Sequence, residues 1–188
     1  AALSHSVARL QRLVNQLLDL ARAQSGLTRE ETLVSLDDMM RTQIADVYPL
    51  VERRSINLEV TRIEQVQLKD INHQLQHVLR NALSNAIKFT PDGGSISVAV
   101  FSEGVDVVFC VSDTGPGVPE EQLERLHQPF YRPDGQASGQ GAGLGLAICH
   151  EIAAQLNGRV TLSNVEPNGF RFCYRQARVE ASFPARRR

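Results

Sequence analysis

A chain of 188 residues with a hydrophobic fraction of 42% has enough apolar side chain for one full domain and a short appendage, which excludes a disordered polymer. The 20 basic and 21 acidic side chains leave a formal net charge of −1, so there is no general attraction to nucleic acid or to an anionic membrane, and function must come from a local site. No apolar run approaches the ~20 residues of a membrane span, no signal-peptide pattern opens the chain, and the five histidines form no HExxH-like ligand pattern.

Leu3, Val7, Leu10, Val14, Leu17 and Ala21 recur at 4-3-4-3-4 spacing, the seam of a coiled coil or bundle. Leu13, Leu18 and Leu20 widen that stripe to the face expected in a four-helix bundle. The spacing predicts one long helix over 1–26, stopped by Gly26 and followed by a polar linker over 27–31. One such helix cannot bury its own face, so a second copy or a partner helix is implied. A short strand is expected over 32–36. Asp37 then opens a helix with Met40, Ile44, Val47, Leu50 and Val51 on one side. Residues 56–62 alternate as a strand and 66–68 form a brief one. A longer helix is predicted from about Asn72 to Phe89, ended by Pro91 and the turn Asp92-Gly93-Gly94. Residues 95–101 and 105–111 read as a hairpin around Gly104.

A loop with Asp113, Gly115, Pro116 and Gly117 precedes a short acidic helix over 119–126. Residues 127–142, rich in Gly, Pro, Gln and Ser, are too long for an ordinary connection and read as a functional lid. A helix over 143–156 is stopped by Gly158, and strands over 159–164 and 169–175 close the domain. The expected class is α+β, a mixed sheet layered with helices over 32–176. The tail, 177–188, ends in Arg186, Arg187 and Arg188, a solvated terminus. Cys110, Cys149 and Cys173 are widely separated with no CxxC pair, and read as three reduced core thiols of a cytosolic protein.

Three segments carry candidate chemistry. Asn81, Asn85 and Lys88, spaced by four and three, share one helical face. Amide oxygens on a rigid helix can help hold a hard cation and Lys88 offers a point positive charge, though such asparagines also serve as plain solvated residues. Asp113-Thr114-Gly115-Pro116-Gly117 ends an apolar strand. It is either a glycine turn or a place where backbone approaches a flat ligand while a carboxylate accepts from an exocyclic amine. Gly139-Gln140-Gly141-Ala142-Gly143-Leu144-Gly145-Leu146 runs straight into a helix. It is either a hinge or a cradle of N–H groups for polyphosphate. No Lys-Ser/Thr follows, so it is not a Walker A loop, and no strand precedes it as a dinucleotide fingerprint needs.

In order, Asn81/Asn85, Asp113-x-Gly115-x-Gly117, Phe130-Tyr131-Arg132 and Gly141-x-Gly143-Leu144-Gly145-Leu146 resemble the N, G1, F and G2 boxes of the ATP-binding domain of sensor histidine kinases of two-component systems. The resemblance covers roughly residues 30–175. It implies a Bergerat (GHKL) α/β sandwich, with helices on one face of a mixed sheet and an ATP lid between the F and G2 boxes. The heptad helix is similar to the second helix of the dimerisation and histidine-phosphotransfer hairpin. By this resemblance Asn85 would coordinate Mg²⁺, with Asn81 in support and contacting phosphate. Lys88 would touch phosphate oxygens and Phe89 would pack near the base. Asp113 would accept from the adenine amine over a floor shaped by Gly115 and Gly117. Arg132 and the backbone of Gly141, Gly143, Leu144, Gly145 and Leu146 would steady the phosphates. The implied cofactors are ATP and Mg²⁺ and the implied activity is that of a protein-histidine kinase. The implied partner is a cognate, winged-helix response regulator, with a homodimer in the full-length protein and no nucleic acid. The implied location is the cytoplasmic side of a bacterial inner membrane, to which the parent protein is anchored.

The sequence departs from that pattern in two places. The family's phosphoacceptor histidine precedes an acidic residue and an Arg-x-Pro stretch, whereas His5 precedes Ser6 and Val7. The expectation is a fragment that begins inside the second bundle helix, binds Mg-ATP and does not autophosphorylate alone. His77 stands one turn before Asn81, where gyrase and Hsp90 relatives place a water-activating glutamate. It is either a surface residue or part of the site, and the missing glutamate favours transfer over hydrolysis. The alternatives are an anti-sigma type serine kinase, opposed by the heptad helix, and a nucleotide-binding signalling module without kinase activity, opposed by the intact boxes. A mechanical ATPase is opposed by the missing glutamate and the short chain.

Overall fold

The computed structural model describes residues 30–133 and 142–179. The helix expected over 1–26, most of the 27–31 linker, Gly141 and the tail from 180 onward lie outside the described residues.

Glu31–Ser35 (β1) pairs antiparallel with Gln67–Ile71 (β3) as a separate two-stranded sheet. Between them runs Leu36–Arg53 (α1). The Ser35 hydroxyl accepts from the Asp38 N–H at 3.4 Å, and Asp37 and Asp38 place negative charge on the first turn, where the helix dipole favours it. Ser55, at φ 51°, turns the chain out beyond the helix. Met40 and Val51 are buried, but Leu50, expected on the same side, is 43% exposed. Standing one residue before Val51, it is turned by about 100° from the buried stripe.

Asn57–Ile63 (β2) begins the main sheet. Leu75–Phe89 (α2) starts three residues later than the spacing predicts, because Asn72 and His73 take left-handed backbone, φ 52° and 57°, which interrupts a helix. The buried Asp70 carboxylate serves this corner by accepting from the Ile71 N–H at 2.8 Å and the Leu75 N–H at 3.1 Å. At the far end the Arg54 guanidinium donates to the carbonyls of Ile87 and of Thr90 (2.8 Å) and pairs with Asp92 at 2.7 Å, closing the last turn of α2.

Ser95–Glu103 (β4) and Asp106–Asp113 (β5) form the expected hairpin, with Gly104 at φ 61° in the turn. Glu120–Leu123 (α3) is one turn of helix, shorter than the predicted 119–126, and the chain continues as turns. Gly145–Gln155 (α4), Arg159–Asn164 (β6) and Phe170–Ala177 (β7) complete the domain. The five-stranded order is β2-β4-β5-β7-β6, with β2–β4 parallel and the other pairs antiparallel. This is the mixed sheet of an α+β domain. Its inward side chains, among them Ile96, Val98, Phe109, Val111, Phe172 and Tyr174, pack on Leu79 and Leu83 of α2 and Ile148 and Ile152 of α4. Truncating a core leucine of this kind costs about 2–5 kcal/mol, so the α2–sheet–α4 sandwich is the rigid frame on which the ends of β5 and β7 are held.

The cysteines are not the three reduced thiols that their spacing suggests. Cys110 on β5 and Cys173 on β7 stand directly opposite each other and are joined by a disulfide across 63 residues of sequence. The pairing of β5 with β7 is non-local, so linear spacing conceals it. Cys149 is the free, buried thiol among the described residues.

Candidate functional site

Four elements meet at one end of the sandwich. Ala82, Asn85 and Ala86 of α2, Val111 and Asp113 of β5, Phe170 and Phe172 of β7 and Leu146 of α4 line a small, partly open cleft. Two apolar walls with one carboxylate between them suit an aromatic base carrying an amine.

Asp113 is 6% exposed and ends β5. Its Oδ1 accepts from the Gly115 N–H at 2.8 Å. Burial pushes its carboxyl above the usual range, while the N–H groups of Gly115 and Phe170 pull the other way. A buried carboxylate at the floor of an apolar cleft gains from any further donor that enters. Gly115 and Gly117 act by close approach and do not line the cleft. A Cβ at Gly115 would lie 2.8 Å from both Asp113 Oδ1 and the Phe89 carbonyl oxygen, and one at Gly117 (φ 68°) would lie 2.8 Å from Asn164 Oδ1. Asn164 holds this loop by accepting from the Val118 N–H at 2.9 Å and donating to its carbonyl at 2.7 Å.

The second part of the site is built where α4 starts against α2. Leu144 is fully buried and anchors the turn, and as the N-cap residue its side chain makes no capping hydrogen bond, so it leaves the first N–H groups of α4 as donors. A Cβ at Gly145 would sit 3.5 Å from Asn81 Oδ1 and 3.8 Å from Asn85 Nδ2. The start of α4 thus faces both asparagines. Asn81 also hydrogen-bonds the Cys149 thiol one turn along α4; burial, only partly offset by this bond, pushes that thiol up to about 12. Gly143 (φ 73°) crosses the Phe130–Tyr131 backbone, where its carbonyl accepts from the Phe130 N–H at 2.9 Å and a Cβ would lie 2.8 Å from Phe130 C. The F-box and G2-box segments are therefore joined at their base.

Lys88 lies with its Nζ 4.4 Å from the centroid of the Phe89 ring. Phe89 supports that ammonium and is absent from the cleft lining, which differs from the expected packing beside a base. Burial lowers the Lys88 pKa, and the Arg132 charge lowers it further. Two cations held this close favour an anion between them. His77 Nδ1 is 3.1 Å from the Arg80 guanidinium. Arginine only donates, so Nδ1 is the acceptor and its lone pair is engaged.

Gly141 lies outside the described residues. The structure brings Asn81, Asn85, Asp113, Gly145 and Leu146 to one end of the sandwich, with Lys88 and Arg132 beside each other. Sequence reasoning missed Val111, Phe170, Phe172 and Gly169. A Cβ at Gly169 (φ 145°) would lie 2.1 Å from the Asp113 carbonyl oxygen, so only glycine lets β7 meet β5 there. The Asn-Gly-Phe signal at 168–170 was available as a turn before a strand. Among the described residues no cluster of three or more His, Cys, Asp or Glu side chains could hold a metal, and no helix is long and apolar enough to cross a membrane. Asn85 could supply one oxygen to a hard cation that takes its other ligands from water and a phosphate, as Mg²⁺ does.

Comparison with known proteins decides the family. The family model described as histidine kinase-, DNA gyrase B-, and HSP90-like ATPase matches residues 70–181. The chain belongs to this ATPase family. Within it, sensor protein QseC of Escherichia coli O157:H7 is 32% identical over 170 residues, covering 89% of this chain and 37% of that protein. Sensor histidine kinase RcsC of Escherichia coli (strain K12) is 32% identical over 191 residues, covering 99% of this chain and 20% of that protein. The chain thus spans about a third or less of these curated relatives. The catalytic domain of histidine kinase ThkA superposes with TM-score 0.71 at 26% identity, covering 79% of this chain and 96% of that one. Full-length ShkA, solved in complex with AMPPNP, gives TM-score 0.79 at 27% identity over 95% of this chain and 38% of that one. This ATPase member accordingly has the histidine kinase catalytic-domain fold.

Proposed function

We propose that the chain binds Mg-ATP and serves as the phosphoryl-donating part of a two-component sensor histidine kinase. The observation that supports this reading is the convergence of a buried carboxylate, Asp113, with a helix start that Leu144 does not cap and that faces two asparagines on α2. In this reading Asp113 accepts from the adenine amine, and Val111, Phe170, Phe172 and Leu146 hold the ring plane. The N–H groups at the start of α4, with Lys88 and Arg132, hold phosphate oxygens. Asn85 contributes an oxygen to Mg²⁺, which when bound neutralises charge that builds on the transferring group.

The bond from the γ-phosphorus to the bridging oxygen breaks, a phosphorus–nitrogen bond forms on an imidazole of a dimerisation bundle, and ADP leaves. Orientation and charge neutralisation are what the residues supply, as phosphoryl transfer requires. The engagement of His77 Nδ1 by Arg80 supports transfer over hydrolysis, because it occupies the lone pair that would activate water. A response regulator is the partner in this reading, and the parent protein is a dimer anchored at the cytoplasmic side of the membrane.

Isothermal titration of Mg-ATP, with and without Mg²⁺, tests the proposal together with transfer of labelled phosphoryl to a supplied bundle. Asn85→Ala should weaken Mg-dependent binding by about tenfold or more, the loss of one metal-directed contact worth ~1.5–3 kcal/mol. Absence of nucleotide affinity in the unsubstituted chain, or unaltered affinity and transfer in Asn85→Ala, would refute the function.

A further inference from the structure

The disulfide lies on the opposite face of the sheet from the cleft. Phe109 and Val111 on β5, and Phe172 and Tyr174 on β7, point into the core, so the alternating Cys110 and Cys173 point the other way. Both are partly exposed. Their lateral neighbours in register are Ala99 on β4 and Thr161 on β6, short side chains that leave the sulfurs within reach of a small thiol. The fold does not depend on the bond: β5 and β7 are paired through eight positions, and β5 is paired through eight more with β4. Both redox forms therefore retain the same topology. Cys149 is fully buried, with a thiol pushed up to about 12, and so takes no part in exchange.

The bond also sits one residue from the cleft. Val111 is opposite Phe172 and Asp113 opposite Phe170, and all four line it. We propose that Cys110–Cys173 is a reversible thiol–disulfide site, exchanged by small-molecule thiols, whose state sets the rigidity of the cleft floor. One external thiolate attacks a protein sulfur, the S–S bond breaks and a mixed disulfide forms; a second external thiolate displaces the protein thiolate from it. Two small thiols are oxidised to their disulfide while the protein gains two thiols, and the reverse exchange restores the cross-link. Reduction frees β5 and β7 to open locally at the end where they carry Asp113 and Phe170.

The experiment uses the native chain in two buffers, one with reduced and one with oxidised glutathione, followed by iodoacetamide under native conditions and mass measurement. Two alkylations are expected after reduction and none after oxidation. Amide hydrogen exchange at 111–113 and 170–172 should be about threefold or more faster in the reduced form, and the Cys110→Ser/Cys173→Ser double variant should show the fast rates in both buffers. The nucleotide arm alone rests on the function proposed above: Mg-ATP should bind about fivefold more weakly to the reduced form. An exchange difference without nucleotide binding in either form would uphold the redox site and remove the nucleotide reading. A disulfide that resists glutathione, three alkylations in the oxidised form, or equal exchange rates in the two forms would overturn the proposal.

Discussion

Replacing Asp113 by asparagine should stabilise the domain without ligand and weaken adenine nucleotide binding, two effects of opposite sign from one atom pair. Burial raises the Asp113 carboxyl above its ordinary 3.8. Between that value and its folded pKa the native chain holds more protons than the unfolded one, so stability falls as pH rises through the window and the deficit persists at neutral pH. Asparagine carries no charge to desolvate and removes the deficit. Recognition suffers because the carboxylate offers two oxygens: one takes the Gly115 N–H at 2.8 Å, and the pair also serves the Phe170 N–H and an incoming amine. Asparagine has one acceptor oxygen, and its NH₂ must face either those backbone donors or the amine. A hydrogen bond to a charged group contributes ~1.5–3 kcal/mol, which corresponds to roughly 10- to 150-fold in affinity. Isothermal titration with ATP and GTP analogues, beside melts from pH 7.5 down to about pH 4, reads all of it. The variant should melt higher at pH 7.5, converge with the parent as pH falls towards 3.8, and lose preference for ATP over GTP. An unchanged ATP affinity, or a lower melting temperature at pH 7.5, would refute the reasoning.

Three further outcomes follow from other contacts. Gly169→Ala places a Cβ 2.1 Å from the Asp113 carbonyl oxygen at a backbone angle that alanine resists; the cost should be about 2 kcal/mol or more, seen as a drop of roughly 5 °C or more in melting temperature. His150 has its pKa lowered from 6.5, by burial first and then by the charge of His127 5.3 Å away. The folded chain therefore prefers it neutral: its stability is intact above about pH 6.5 and is lost as pH falls through the folded pKa. Urea midpoints between pH 8 and pH 5 should decline in the parent and flatten in His150→Gln. Lys88→Met and Arg132→Met should each weaken ATP binding by about tenfold or more while leaving adenosine within twofold, because in the proposed reading these neighbouring cations hold phosphate oxygens and not the base; equal losses for both ligands in titration would contradict that proposal.

The helix-borne half of the site was legible because a helix converts spacing into direction. Asn81, Asn85 and Lys88, four and three residues apart, had to share a face, and the start of α4 opposite Asn81 and Asn85 is where that face leads. Asp113 was legible as a polar residue ending an apolar strand. Phe170, Phe172 and Val111 were not, since an inward strand residue looks the same whether it meets a core or a cleft. The same non-local pairing of β5 with β7 hid both that wall and the Cys110–Cys173 bond. The start of α2 was misplaced because Asn72 and His73, unremarkable in a helical pattern, are held left-handed at a corner served by a buried Asp70. Leu50 was misplaced by a simpler error: apolar identity was read as burial, although a lone exposed leucine is ordinary.

The electrostatics of the site favour one ligand class. Burial works against both of its charged ends, raising the Asp113 pKa and lowering that of Lys88, and the nearby Arg132 adds to the second effect. A ligand with a hydrogen-bond donor at one end and a polyanion at the other relieves both at once. A free phosphate or a free base relieves only one. The protein's own contribution to affinity is thus split between distant ends of a single molecule, and the rigid α2–sheet–α4 frame fixes the distance between them. ATP at a hundred times its dissociation constant should stabilise the chain by about 2.7 kcal/mol. Adenosine and inorganic triphosphate supplied together, each relieving one end but each losing its own translational freedom, should not match that gain at the same concentrations.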